Sequence, residues 1–229
     1  MRKLITKKIK KHFNINSPLY CSYSQFGEDA IARSYFYHKN SLHSGGYYVD
    51  IGAYDPFKFS NTFIFHEFGW KGINVDLSEI SIDQFKNHRP FDINLNIGIS
   101  EFEGEIEFYS WQKSLFNTMS FEQAKKHEID FQLGPPEIKK VKSIPLKTLF
   151  NDYLPSGTKV NLLNIDAESY DLMILKSNDW SLYRPEVIII EDHEYRFNTL
   201  QKSEINLFLE NKGYLIFGFS GPSFIYVLQ

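Results

Sequence analysis

Tyr47-Tyr48-Val49-Asp50-Ile51-Gly52-Ala53-Tyr54-Asp55 is the stretch on which the fold turns. A short, mostly apolar run bounded by Gly45-Gly46 and Gly52 predicts a buried strand followed by a tight turn, where a glycine also lets a ligand approach the backbone. Downstream, Gly72 to Asp76, Asp92 to Ile97, Val160 to Ile165 and Val187 to Glu191 repeat the strand pattern. Helical patterns separate them: Ser60-Asn61-Thr62 is expected to cap a helix ending near Phe68, another runs through Leu172 and Leu175, and a third spans Leu200 to Asn211. Upstream, Ser24 is expected to cap a helix whose first turn holds Glu28 and Asp29, with Phe26, Ala30, Ile31 and Tyr35 as its apolar stripe. The chain closes with Tyr214 to Phe219 and Phe224 to Leu228, joined by a turn too short for a parallel crossover. The predicted fold is Rossmann-like α/β, a mostly parallel seven-stranded sheet ending in an antiparallel hairpin.

With 229 residues, one domain is expected over residues 20–229, preceded by a basic tail or helix over 1–19. That tail (Arg2, Lys3, Lys7, Lys8, Lys10, Lys11) lacks the continuous apolar run of a signal peptide and suits weak contact with an anionic membrane surface. No apolar run is long enough to span a bilayer. A net charge of −3 gives no reason to expect nucleic acid as a partner. The single cysteine, Cys21, is consistent with a reducing compartment, and the cytoplasm is the expected location. Abundant Lys, Asn, Ile, Phe and Tyr suggests an AT-rich, bacterial genome, and a homo-oligomer is compatible with the chain. Residues 111–140 look polar, aperiodic and Pro-containing, and are expected to form a long lid or substrate loop. Trp111 and Phe116 either stack on a ligand there or anchor the loop. Glu105 to Tyr109 reads as a short strand outside the main run.

In an open α/β sheet, ligands lie beyond the carboxyl ends of the strands, so the residues just after each strand carry the chemistry. Asp50-x-Gly52-Ala53 follows the first strand without the further glycines of a dinucleotide fingerprint. Asp76-Leu77 follows the second, and its carboxylate can accept hydrogen bonds from both hydroxyls of a ribose, or cap the segment starting near Ser78. Asn96-Ile97-Gly98 follows the third and can offer polar groups to an adenine. Asp166 and Glu168 follow the fourth, and Glu191 and His193 close the fifth, each pair on one side of the chain. Carboxylates with a histidine can act as general base or hold a divalent metal.

Ser24-Gln25-Phe26-Gly27-Glu28-Asp29, Val49 to Ala53, Ser60-Asn61-Thr62, Gly69 to Asp76, Arg89-Pro90 through Gly98, and above all Asn164-Ile165-Asp166-Ala167-Glu168-Ser169-Tyr170-Asp171 resemble the FkbM family of methyltransferases over residues 20–228. Two positions depart from the family's usual residues: Tyr54 stands where Asn is common, and Ser169 where Gly is common. The resemblance implies a class I fold and S-adenosylmethionine-dependent O-methylation of a sugar, nucleotide-linked sugar or glycan precursor of capsule or lipopolysaccharide. A lipid or polyketide hydroxyl, or a non-catalytic module of the same fold, are the alternatives. It further implies a cofactor site of Ser24, Gln25, Asp50, Gly52, Ala53, Tyr54, Asn61, Thr62, Asp76, Leu77, Asn96, Ile97, Gly98 and Asp166. His193 is the expected base, with Asp166, Glu168 and Glu191 assisting, or Asp166, Glu191 and His193 holding Mg²⁺ or Mn²⁺.

Overall fold

A computed structural model describes residues 21–111, 116–195 and 202–229. Helix α1 (Glu28–His38) leads into β1 (Tyr47–Ile51), α2 (Phe63–Glu67), β2 (Lys71–Asp76), α3 (Glu79–His88) and β3 (Ile93–Asn96). Strands β4 (Gly98–Ile99) and β5 (Gly104–Ser110), helix α4 (Phe121–Asp130) and strand β6 (Glu137–Ile144) follow. The chain continues with α5 (Leu146–Tyr153), β7 (Leu162–Ile165), α6 (Asp171–Lys176), β8 (Val187–Glu191), α7 (Glu204–Asn211), β9 (Tyr214–Ser220) and β10 (Ser223–Leu228). The main sheet has the order β3-β2-β1-β7-β8-β10-β9. Its first five members are parallel, and β10 pairs antiparallel with both β8 and β9. The expected sheet and its terminal hairpin are therefore present.

Strand alternation assigns the two faces. Tyr48, Leu162, Val187, Ile189 and Ile225 pack on one side with Ala32 and Phe36 of α1 and Ile64 and Phe65 of α2. Val49, Leu163, Ile188, Ile190 and Phe224 pack on the other with α5, α6 and α7. Each fully buried aliphatic or aromatic side chain contributes roughly 1.5–3 kcal/mol, so both faces hold the helices firmly. The chain runs outward from β1 to β3 and then returns to β7 on the other side of β1. That reversal leaves a crevice at the carboxyl ends of β1 and β7.

Three local readings change. The cap of α1 is Gly27, not Ser24, because the Ser24 hydroxyl donates to Asp29 Oδ1 (2.9 Å) and accepts from the Gly27 N–H (3.0 Å) ahead of the helix. The third strand is shorter than expected, since Gly98–Ile99 leaves the main sheet to pair with β6. Residues 111–140 are also more regular than an open loop: α4 lies within them, and β6 starts at Glu137 and pairs with β5 over seven positions in a second sheet, β4-β6-β5. Most of β6 is exposed and α4 buries only Ala124 and His127, so neither shows an apolar period. Trp111 and Phe116 anchor the segment: the indole N–H donates to the Gly134 carbonyl (2.7 Å), and Phe116 packs on Phe131.

Candidate functional site

The crevice opens into a cleft of about 1320 Å³, counting its solvent-open mouth. Gly52 forms the turn beneath it with φ +77°, and its N–H donates to the Val75 carbonyl at 3.0 Å. A Cβ here would sit 1.8 Å from the Asp166 carbonyl oxygen, so glycine is demanded by the crossing of the β1 and β7 ends. Asp76 ends β2 and is partly exposed. Its Oδ2 accepts the Tyr54 N–H at 2.8 Å and its Oδ1 the Ser78 N–H at 2.7 Å. Burial pushes its carboxyl up to about 6 against the pull of those two bonds.

The other half of the cleft is acidic. Asp166 and Glu168 follow β7, and Glu191 ends β8. Burial, then the charges of Glu191 and Glu168, raises the Asp166 carboxyl well above its usual range. Burial also lifts Glu168 to about 7, helped by Glu191 and Asp171. Beside them, burial brings Asp171 to about 6 even though it accepts N–H bonds from Ala167 and Ser169. Tyr54, Phe59 and Glu168 all line the cleft with φ near +50° to +56°, left-handed values that non-glycine residues adopt uncommonly.

Beneath the floor, the strand register places Asn94, Asn74, Asp50 and Asn164 side by side across β3, β2, β1 and β7. Asp50 is buried; its Oδ1 accepts Asn164 Nδ2 (2.8 Å) and its Oδ2 the Thr62 hydroxyl (2.5 Å). Burial raises its carboxyl, while Thr62, Arg89 and Asn164 work against that rise.

The sequence profile of the methyltransferase FkbM domain matches residues 50–216, more than half of the chain and the whole floor of this cleft. The chain belongs to the FkbM methyltransferase family. No curated protein matches it.

The FkbM domain therefore needs a place for a methyl donor, and the donor usual for such a family is S-adenosylmethionine. The residues present fit it. Six carboxylates line the cleft (Glu28, Asp50, Asp76, Asp166, Glu168, Glu191), and among the described residues no lysine, arginine or histidine does. Such a lining suits a ligand carrying positive charge and offers nothing to a dinucleotide's pyrophosphate. Asn61 adds a buried Oδ1 with no partner among the described residues, an acceptor awaiting a donor.

Of the residues expected to bind the cofactor, Gln25, Asp50, Gly52, Ala53, Tyr54, Asn61, Asp76, Leu77, Ile97, Gly98 and Asp166 line the cleft. Ser24, Thr62 and Asn96 do not: Ser24 braces Asp29, Thr62 is buried against Asp50, and Asn96 is exposed, its Nδ2 donating to the Asp76 carbonyl at 3.0 Å. His193 also lies outside the lining, with its side chain 68% exposed and Nε2 3.2 Å from Glu191 Oε2. The expected metal set does not form: among the described residues no three His, Cys, Asp or Glu side chains make a metal-binding group. Asp166 lies partly exposed at the floor while the His193 side chain stands 68% exposed outside the lining, so Asp166, Glu191 and His193 do not form the expected set. Sequence reasoning missed Glu28, Asn164 and Met119 as lining residues. The signal for Asn164 was present, an amide inside an otherwise apolar central strand.

Proposed function

We propose that the chain transfers a methyl group from S-adenosylmethionine to a hydroxyl of a sugar, in a glycan precursor or nucleotide-linked sugar. The observation that carries this reading is the pairing, in one cleft, of the Gly52 turn and Asp76 with the carboxyl trio Asp166, Glu168 and Glu191. When bound, S-adenosylmethionine supplies an electrophilic methyl group on a sulfonium. Asp76 accepts the ribose hydroxyls, and Gly52, Ala53 and Asn61 hold the amino-acid end. A sugar hydroxyl is a poor nucleophile until its proton leaves. Glu168, with a carboxyl near 7, is half ionised near neutral pH and takes that proton at its carboxylate oxygen. Asp166, its carboxyl raised by burial and by the charges of Glu191 and Glu168, orients the acceptor through a hydrogen bond. Glu191 couples the pair to His193, which hands the proton to solvent from the rim. His193 thus serves the exit of the proton, and Glu168 takes the place of base first given to the histidine.

The sugar follows from the family resemblance and from carboxylates suited to accepting hydroxyl hydrogen bonds. The acidic lining favours an acceptor whose phosphate groups stay outside the cleft. Titration calorimetry with S-adenosylmethionine and with NAD, followed by S-adenosylhomocysteine release with oligosaccharides, nucleotide sugars, lipids and phenols, tests the reading. Binding of S-adenosylmethionine with turnover on a sugar is expected. NAD binding alone would reject the methyl-donor reading, and silence across all acceptors would favour a non-catalytic module.

A further inference from the structure

We propose that Arg89 is a positioning residue of the methyl-donor site, acting through a buried hydrogen-bond relay that ends on the Asn61 carbonyl oxygen; this rests on the S-adenosylmethionine reading above. Arg89 follows the last turn of α3 and is fully buried. A buried guanidinium is costly unless most of its N–H groups and its charge are met. Here both Nη groups are met, and Nε has no partner among the described residues. Its Nη1 donates to Thr62 Oγ1 (2.9 Å), Tyr48 Oη (3.2 Å) and Asn74 Oδ1 (3.4 Å), and its Nη2 to the Pro56 carbonyl (2.5 Å) and Ser60 Oγ (3.0 Å). The balancing charges stand one bond further away, Asp50 behind Thr62 and Asp92 behind Tyr48 and Asn74. Pro56, Ser60 and Thr62 all belong to the connection between β1 and α2, whose Phe59, Ser60 and Asn61 line the cleft. One planar fork therefore clamps a cofactor loop at three points without touching the cleft itself.

The clamp also fixes an orientation. Thr62 Oγ1 receives Arg89 and so gives its own proton to Asp50 Oδ2. Asp50 Oδ1 accepts Asn164 Nδ2, which turns Asn164 Oδ1 toward Asn61 Nδ2 at 2.9 Å. Arg89 and Thr62 hold Asp50 in place, and Asp50, an acceptor at both oxygens, fixes which way the Asn164 amide faces. The Asn61 amide cannot then flip without placing two oxygens face to face. The Asn61 oxygen is left as the relay's terminus, buried, without a partner among the described residues, on a residue of the cleft. The methyl donor has an ammonium at its amino-acid end, the group whose N–H bonds this acceptor lacks.

The relay is tested with two probes, S-adenosylhomocysteine and methylthioadenosine, which lacks the amino-acid end. Arg89→Lys keeps the charge and loses the fork. It is expected to weaken S-adenosylhomocysteine about tenfold, the worth of one lost charge-assisted hydrogen bond, while methylthioadenosine changes less than about twofold. Equal losses for both probes, or no loss for either, overturn the proposal. If Arg89→Lys does not fold, Thr62→Val cuts the same relay in a near-isosteric side chain and carries the same comparison. Combined with Asn61→Ala, Thr62→Val should add no further loss, whereas additive losses would show that it does not act through Asn61. A wild-type chain that binds neither probe fails at the donor reading itself, before any variant is compared.

Discussion

Glu168 combines a left-handed backbone, φ 50°, with a carboxyl raised to about 7 by burial and by Glu191 and Asp171. Activity is therefore expected to rise through about pH 7 to a plateau. Glu168→Gln should cut kcat by about 10²–10⁴, the usual range for a lost general base, and remove that inflection. Pre-steady-state methyl transfer across pH 5.5–9 measures it, and an unaltered profile in the variant would reassign the base. The next residue, Ser169, holds φ 81° while exposed, at the position where the family commonly has glycine. Its N–H bond to Asp171 Oδ2 belongs to the backbone and survives substitution. A left-handed non-glycine residue costs about 1–2 kcal/mol, partly offset by the freedom glycine adds to the unfolded chain, so Ser169→Gly should stabilise by about 0.5–1 kcal/mol. Urea denaturation would show it as a higher midpoint, and a lower one would mean that the turn is not strained. Asp76 can lose its contacts more simply. Asp76→Ala should weaken S-adenosylmethionine by about 1.5–3 kcal/mol, read by calorimetry, because the proposed acceptor of the two ribose hydroxyls is removed.

Among the elements, those whose side chains face a core were legible, and those held by backbone pairing in solvent were not. Strands β1, β2, β7 and β8 bury nearly every residue and read as apolar runs. In β6, burial falls only on its last two residues, and the seven-position pairing with β5 that holds it has no sequence signature. The site divides in the same way. Most residues at the strand ends could be placed from the sheet rule alone, Asn96 and His193 excepted, whereas Thr62, Asn164 and Arg89 act by meeting across elements far apart in the chain. His193 misses the cleft because strand alternation does not continue past Glu191, where β8 ends. The β5–α4–β6 insertion reaches the cleft through Asn117, Thr118 and Met119, and His127 braces that edge. Its Nδ1 lies 3.0 Å from the Phe116 carbonyl, and its ring packs against Trp111, Phe116 and Phe131. His127→Ala should loosen the edge and raise the acceptor KM about five- to tenfold while donor affinity stays within about twofold. A fall in donor affinity of the same size would make the insertion a support for the donor.

For the whole molecule, the cleft's carboxyl groups leave a mark on stability. Asp76 and Asp171 are raised to about 6 and Glu168 to about 7, and Asp50 and Asp166 are raised as well, all with burial as the first cause. In the unfolded chain such groups titrate near 4, so between about pH 4 and 7 the folded state binds more protons than the unfolded one. The sign follows directly: this contribution is fully present below the unfolded values and is lost as pH rises through the folded ones. His66, lowered by burial and by Arg89, Glu186, held down chiefly by hydrogen bonds from Lys39 and Asn161 against its burial, and Asp179, held down by hydrogen bonds from Ser181, act the other way, but they are fewer. Without ligand, the melting temperature is expected to be several degrees lower at pH 8 than at pH 5, at about 2–4 °C per kcal/mol for a chain of this length. Glu168→Gln removes one titrating group and should narrow the gap. S-adenosylmethionine should narrow it as well, because a cationic ligand binds better to the ionised cleft and so stabilises more at pH 8. Calorimetric scans at constant ionic strength, with and without the donor, provide the measurement. A melting temperature that is flat or rises from pH 5 to 8 would mean that the cleft does not hold its acids protonated, and the assignment of Glu168 as a base poised near neutral pH would fall with it.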